Sequence, residues 1–216
     1  MPRIHGVVDG TSEWLIHRVG MVTASRMSDV MDYLKKGGES KARKDYKTAK
    51  VVELMTGRAV ESYVSPAMEW GIENQGLAAA AYEIACDVEL EEGGFWVHDT
   101  VPKFAASPDY LLGADGLVEV KCPTTAVHIE YIFSGLIPEP YKLQMLAQMA
   151  CTGRKFCDFV SFDPRMPRQN QLFISRLERD DTQISEVESQ VLQFLSEIAG
   201  VVFSLEGAKM ADRATR

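Results

Sequence analysis

The sequence SPDYLLGADGLVEVK, residues 107–121, decides how the rest of the chain is interpreted. Two short apolar segments, 103–112 and 116–120, flank a Gly-Ala-Asp-Gly turn, and Asp-Gly between such segments is a strong signal for a β-hairpin. An antiparallel hairpin of this length brings Asp109 close to Glu119. Because side chains alternate along a strand, Glu119 and Lys121 lie on one face. The stretch therefore predicts two carboxylates and an ammonium group in one place.

Two carboxylates beside a lysine indicate a site for a hard cation. Oxygen ligands suit Mg²⁺ or Mn²⁺, which keep several waters and take only one or two protein carboxylates. The lysine could then polarise the water that attacks a phosphodiester. A solvated hairpin surface is the alternative, since exposed acidic and basic side chains are common. The apolar neighbours of Asp109 and Glu119 favour the site, because a buried strand rarely carries unpaired charges.

The spacing Pro108-Asp109, nine residues, Glu119-Val120-Lys121 resembles the motif of the PD-(D/E)xK nuclease superfamily. Within it, the chain resembles the family of phage lambda exonuclease and its viral-recombinase relatives, the alkaline exonucleases. Five blocks carry this resemblance in order and nearly in spacing: residues 14–25, 67–83, 107–123, 141–155 and 162–166. The resemblance implies an α/β (α+β) fold with a central mixed β-sheet flanked by helices, the restriction-endonuclease-like core.

The resemblance also implies roles for individual residues around the hairpin. Asp109, Glu119 and the carbonyl group of Val120 would bind Mg²⁺ or Mn²⁺, as one ion or two. Lys121 would position and activate the attacking water, and Gln144 would align the scissile phosphate. These four side chains are the predicted catalytic residues.

A second predicted group would hold the DNA end. The residues that match the 5′-phosphate pocket of the family are Arg18, Ser25 and Ser107. From the sequence pattern alone, Thr23, Ala24 and Ser25 would cap an ordinary helix with an arginine on its surface. Trp14 matches a tryptophan near the DNA path and Met68 a residue that wedges apart the terminal base pair, and both are also plausible core residues.

One position departs from the family pattern. An ungapped alignment over 70–82 places Gln75 where the family carries a glutamate near the metals. A neutral amide is a weaker ligand than a carboxylate, and Glu73 could replace it only if the helix shifted. The second metal, or its affinity, is therefore in question.

The resemblance implies a Mg²⁺-dependent exonuclease on double-stranded DNA ends. It would degrade the 5′-ended strand as a homotrimeric ring and leave 3′ overhangs for recombination with a single-strand annealing protein. Such a phage or prophage protein would act in the cytoplasm of a bacterial host. The alternatives are a related nuclease of other polarity, an endonuclease, and a non-catalytic module that binds DNA ends.

Length and composition are consistent with one nuclease domain spanning residues 1–216, since 46% of the residues are hydrophobic. No apolar run approaches the roughly 20 residues of a membrane span, so we expect no membrane partner. The four cysteines have no CxxC spacing, which makes zinc unexpected and favours reduced thiols.

The net charge of −8 is unusual for a protein that binds DNA, but the charge is unevenly distributed. Residues 35–50 contain seven basic side chains and two acidic ones. This segment is either a basic lining for DNA or a solvated loop.

The spacing of apolar residues and the positions of glycine and proline predict the remaining helices and strands. We expect helices over 45–55, 67–86, 125–131, 141–150 and 182–204, and strands over 95–98, 156–162 and 172–177. His98 is expected at a strand end rather than in a metal site, and residues 209–216 are expected to form a frayed tail.

Overall fold

The computed structural model describes residues 3–4, 7, 10–60 and 65–214, and the side chains of these residues as far as 207. The strands within these ranges form two sheets. The first sheet has the order β1 (Arg3–Ile4), β4 (Phe95–Val97), β5 (Phe104–Ala106), β2 (Val22–Thr23). Its β2–β5 pair is parallel and its other pairs are antiparallel, so the sheet is mixed.

The second sheet has the order β3 (Leu90–Glu92), β6 (Tyr110–Leu112), β7 (Gly116–Lys121), β8 (Phe156–Phe162), β9 (Leu172–Glu178). Strands β7 and β8 run parallel, and the other neighbours run antiparallel. Tyr110 pairs with Val118, which confirms the predicted hairpin over its inner part. This sheet carries the motif.

Seven α-helices flank the sheets within the described residues. They are α1 (Ser12–Arg18), α2 (Met27–Val30), α3 (Lys41–Thr56), α4 (Pro66–Cys86), α5 (Thr125–Ser134), α6 (Glu139–Thr152) and α7 (Asp181–Ala214). The predicted fold class is confirmed, with mixed sheets flanked by helices. The single central sheet that we expected is divided into two, which corrects that detail.

The division falls inside the first predicted hairpin segment, 103–112. Its first part is β5 in one sheet and its last part is β6 in the other. Pro108 lies between them, and its ring nitrogen has no hydrogen to donate to a ladder. Gly93 packs against this crossing so closely that an added Cβ would stand 1.7 Å from the carbonyl oxygen of Pro108. The N–H of Gly93 also donates to the carbonyl of Asp109, at 3.1 Å.

Side-chain caps explain where the long helices begin. The hydroxyl group of Ser65 accepts from the N–H of Met68, and Pro66 occupies the first turn of α4. Ser40 caps α3 in the same way, so α3 begins at Lys41 rather than at 45. Gly57 ends α3 with a φ of +66°, a conformation that glycine adopts without strain.

The helix predicted to be capped by residues 23–25 is much shorter than expected. Ala24–Arg26 form a single 3₁₀ turn, and neither this turn nor α2 has a side-chain cap. The hydroxyl of Thr23 instead accepts from Nη2 of Arg18, at 3.4 Å. Ser25 remains exposed.

Helix α7 is longer than predicted. It runs Asp181–Ala214, so the backbone of residues 209–214 is helical where we expected a tail, and residues 215–216 lie outside the described part. Its apolar stripe enters the core: the fully buried members are Ile184, Val187, Val191, Phe194 and Ile198. No helix among the described residues is both long enough and apolar enough to cross a membrane.

The basic segment 35–50 has side chains both at the surface and in the interior: Lys35, Lys36, Lys41 and Lys44 are exposed, Lys47 is partly buried, and Arg43 and Lys50 are buried. Arg43 is completely buried and forms two hydrogen bonds with Glu197 of α7, at 2.8 and 3.1 Å. Lys47 also pairs with Glu197, at 2.6 Å, and with Glu39. Arg43 and Lys47 therefore join α3 to α7 through Glu197.

Candidate active site

The structure brings together the predicted acidic and basic residues of the motif. Glu119 and Lys121 lie on β7, and Asp109 lies where the chain enters β6. Oδ2 of Asp109 accepts a hydrogen bond from the backbone N–H of Val120, at 2.7 Å. The ammonium group of Lys121 donates to Oε1 of Glu119, whose residue is only 1% exposed. The strand alternation anticipated in the sequence accounts for this arrangement.

Two glutamines of α6 complete the surroundings of the Glu119 carboxylate. Nε2 of Gln144 donates to Oε1 at 2.6 Å, and Nε2 of Gln148 donates to Oε2 at 2.5 Å. Gln144 was predicted to lie at the site, and Gln148 was missed. The signal was present, because residues four apart on a helix share a face.

Lys121 keeps its positive charge in these surroundings. Burial acts to lower the pKa of its ammonium group, but the charges of Glu119 and Asp109 and the hydrogen bond to Glu119 outweigh burial and raise the pKa. The same group lies 5.1 Å from the centre of the Tyr141 ring. Lys121 is therefore suited to donate hydrogen bonds and to offset negative charge.

A cleft of about 400 Å³ opens beside Asp109. Its walls include Ser107 and Tyr110 from the crossing and Ile72 and Gln75 from α4. Burial, together with the charges of Glu92, Asp109 and Glu83, raises the pKa of Tyr110 to about 12, so its hydroxyl group stays neutral. Gln75 thus lies near Asp109 as the ungapped alignment implies, while Glu73 is exposed.

Three residues predicted to bind the DNA end form one cluster. The indole Nε1 of Trp14 donates to the hydroxyl of Ser107, at 3.0 Å. The guanidinium of Arg18 lies over the Trp14 ring, 3.8 Å from its centre. Since Ser107 is two residues from Asp109, this cluster adjoins the acidic pair. Ser25 is exposed beyond Thr23, and Met68 is 51% exposed in the first turn of α4.

The donor set at the motif fits a hard cation. Among the described residues, no group of three or more His, Cys, Asp and Glu side chains has a metal-binding arrangement. Mg²⁺ needs fewer protein ligands than three, because it retains waters and accepts one or two carboxylates. Asp109, Glu119 and the main-chain carbonyl of Val120 supply oxygen donors of this kind.

Two buried histidines in the described part of the chain, His98 and His128, have structural roles. Nδ1 of His98 accepts from the N–H groups of Thr100 and Val101, so Nε2 carries the hydrogen that faces Glu188, at 3.0 Å. His98 follows β4 directly, as predicted. His128 is completely buried between Ser161 and the carbonyl of Asn170.

Comparison with known proteins identifies a family that this chain matches. A family model described as the YqaJ-like viral recombinase domain matches residues 13–155. A search of curated proteins found no match.

Solved structures give a consistent result. The alkaline exonuclease LHK-Exo from Laribacter hongkongensis is 40% identical over 93% of this chain and 99% of its own, with a TM-score of 0.86. The same protein in complex with dAMP matches at 42% identity, with 93% and 100% coverage and a TM-score of 0.85. A phage-related exonuclease from Haemophilus somnus 129PT, at 14% identity, covers 83% of this chain and 95% of its own with a TM-score of 0.60, which shows a shared fold.

Fold, site and similarity together define the protein as an enzyme, a nuclease of the exonuclease class that hydrolyses phosphodiester bonds. The chain belongs to the YqaJ-like viral recombinase domain family.

Proposed function

We propose that this enzyme is a Mg²⁺- or Mn²⁺-dependent exonuclease that acts on double-stranded DNA ends and degrades the 5′-ended strand. The observation that carries the proposal is that Lys121 and Gln144 both donate to Glu119, while Asp109, which accepts from the N–H of the next residue on β7, lines the cleft. Two carboxylates that can hold a metal ion, together with an ammonium group and an amide donor, can stabilise the charge that develops during phosphodiester hydrolysis.

Asp109, Glu119 and the Val120 carbonyl would hold the cation, as one ion or two. When bound, the ion supplies Lewis acidity that stabilises charge developing on the phosphate. Asp109 is already oriented by the Val120 N–H, and Oε1 of Glu119 accepts from Lys121 and Gln144. The protein thus supplies ligands whose positions are set before a cation arrives.

Lys121 and Gln144 would act on the reacting atoms. Both donate to the same oxygen of Glu119, so both reach one position at the edge of the site. From there the ammonium of Lys121 would orient the attacking water and offset its developing negative charge. The amide of Gln144 would donate to a non-bridging oxygen of the phosphate.

Arg18, Ser25 and Ser107 would bind the terminal 5′-phosphate, with Trp14 and Met68 contacting the DNA near its end. The cluster of Arg18, Trp14 and Ser107 next to Asp109 supports this assignment. A guanidinium is well suited to phosphate because it donates several hydrogen bonds from a fixed plane. LHK-Exo has been solved with dAMP, and a deoxynucleoside monophosphate is what an exonuclease releases.

The sequence resemblance supports the biological part of the proposal. We propose that the chain acts as one nuclease domain, assembled into a homotrimeric ring. It would generate 3′ overhangs for recombination together with a single-strand annealing protein, in the cytoplasm of a bacterial host of a phage or prophage. A hydrophobic core shared by residues of both sheets, such as Phe104 and Phe159, supports the single domain.

The test is product release from linear duplex DNA with 5′-phosphate or 5′-hydroxyl ends, in Mg²⁺ or EDTA. The variants are Lys121→Ala and, as a matched control, Lys155→Ala, which removes an exposed lysine paired with Asp115. We expect Mg²⁺-dependent mononucleotide release that prefers 5′-phosphate, is lost in Lys121→Ala and is retained in Lys155→Ala.

Other outcomes point to the alternatives. Cleavage of closed circular duplex would indicate an endonuclease, and release from 3′ ends would reverse the polarity. DNA binding without release from either end would leave a module that binds DNA ends.

A further inference from the structure

Gln148 is a completely buried polar side chain at the candidate active site, and none of the roles assigned above includes it. Its Nε2 donates to Oε2 of Glu119 at 2.5 Å. A buried amide is costly unless it is hydrogen-bonded, and the partner of this amide is the carboxylate of Glu119.

The orientation of the Gln148 amide is set at both of its ends. Its oxygen accepts from the thiol of Cys157, at 3.8 Å, so its NH₂ group is directed toward Glu119. Cys157 lies on β8, the parallel neighbour of β7, and is also completely buried. The amide therefore bridges α6, β7 and β8, with its NH₂ group on the carboxylate and its oxygen on the thiol.

Gln144 and Gln148 donate hydrogen bonds to different oxygens of the Glu119 carboxylate. Gln144 donates to Oε1, the oxygen that also accepts a hydrogen bond from Lys121. Gln148 alone among these donors contacts Oε2. A cation that binds Oε1 would displace or share the contacts of Lys121 and Gln144, whereas the contact from Gln148 would persist. This makes Gln148 the donor that fixes the rotation of the carboxylate when the site is loaded.

We infer that Gln148 is a positioning residue that holds the Glu119 carboxylate in its cation-binding orientation. Because it is fully buried, it acts through Glu119 and does not touch DNA. The inference rests on the proposed function, in which Glu119 is a metal ligand. Partners that orient metal ligands typically contribute about 10- to 100-fold to metal affinity.

The experiment measures Mn²⁺ binding to the DNA-free protein by calorimetry. Gln148→Met keeps the length and approximate volume of the side chain and removes the donor. Met149→Leu is the matched control, because Met149 is the next residue on α6 and equally buried. Glu119→Gln tests the ligand itself. Thermal unfolding of each variant verifies that it is folded, and Gln148→Leu replaces Gln148→Met if the latter fails to fold.

We expect Gln148→Met to weaken Mn²⁺ binding by roughly tenfold or more while Met149→Leu stays within about twofold of wild type. The nuclease rate of Gln148→Met should recover toward wild type as Mn²⁺ is raised, which a damaged core would not allow. Folded Gln148→Met that binds Mn²⁺ as tightly as wild type would overturn the inference. Absence of Glu119-dependent Mn²⁺ binding in the wild type would instead overturn the proposed function.

Discussion

The carboxylate of Asp109 accepts a hydrogen bond from the backbone N–H of Val120, with 2.7 Å between Oδ2 and N. This contact closes the open end of the β6–β7 hairpin and holds the first acidic residue of the motif beside the second.

Asp109→Asn should separate the structural role of this contact from its chemical role. The asparagine oxygen can still accept from Val120, so we expect the free energy of unfolding to change by less than about 1 kcal/mol. The negative charge is lost, so Mg²⁺-dependent cleavage should fall by about 100-fold or more. Thermal unfolding and nuclease rates measure the two effects, with Asp115→Asn in the hairpin turn as control. Activity within a few-fold of wild type would exclude Asp109 as a ligand.

Arg18→Ala should reduce the preference for 5′-phosphorylated ends. A charge-assisted hydrogen bond to phosphate contributes about 1.5–3 kcal/mol, which corresponds to roughly 10- to 150-fold in kcat/KM on phosphorylated duplex. Cleavage of 5′-hydroxyl ends should change little. Arg58→Ala, at an exposed position after α3, is the control. Equal losses on both kinds of end would assign Arg18 to general DNA binding instead.

Gln75→Glu should strengthen cation binding. It adds a carboxylate to the cleft wall near Asp109, and affinity for hard cations rises with the number of charged ligands. We expect the Mg²⁺ concentration for half-maximal cleavage to fall by about tenfold. Glu73→Gln changes an exposed neighbour on α4 and should leave that concentration unchanged. The reverse pattern would mean that Glu73 rather than residue 75 serves the second ion.

Glu197 should make stability depend on pH in the acidic range. Burial acts to raise its pKa, but hydrogen bonds and charges from Arg43 and Lys47 outweigh burial and lower the pKa from 4.5 to about 2. The unfolded chain therefore binds the proton more tightly. The resulting stabilisation is complete above about pH 4.5 and is lost as pH falls toward 2.

The corresponding variant is Glu197→Gln. Removing the carboxylate of Glu197 leaves two basic side chains, Arg43 and Lys47, sharing Glu39, so at pH 7 we expect a loss of about 2 kcal/mol and a Tm lower by roughly 4–8 °C. This difference should shrink as the pH falls from 4.5 toward 2, because the stabilisation that ionised Glu197 gives the wild type is lost over that range. Glu186→Gln, exposed on the same helix, is the control. A Tm difference that is constant from pH 7 to pH 3 would contradict the assignment.

The sequence predicted the features that depend on neighbouring residues. Strand alternation and the Asp-Gly turn placed Glu119 and Lys121 on one face, and Ser-Pro and glycine signals located the long helices. It did not predict that segment 103–112 divides between two sheets. Pro108 lies at that division, but the close approach of Gly93 to its carbonyl joins positions 15 residues apart and is not visible in the local pattern.

The remaining differences have the same origin. The inward pairing of Arg43 was not predicted because its partner, Glu197, is 154 residues away. Gln148 shares a helix face with Gln144, but the carboxylate that gives it a role, Glu119, is 29 residues away in sequence. Non-local partners decided these cases, and periodicity reports only local ones.

The passage of the chain from one sheet to the other at residues 107–109 has a consequence for hydrogen exchange. A cation held by Asp109 would bind only the folded protein, so its free energy of binding would add to the free energy of unfolding. Because the backbone at Asp109 connects β5 to β6, that gain should be shared by amides in both sheets. Cation binding should therefore slow the exchange of backbone amides in both sheets together. Cation binding and the packing of the two sheets against each other would then be linked equilibria.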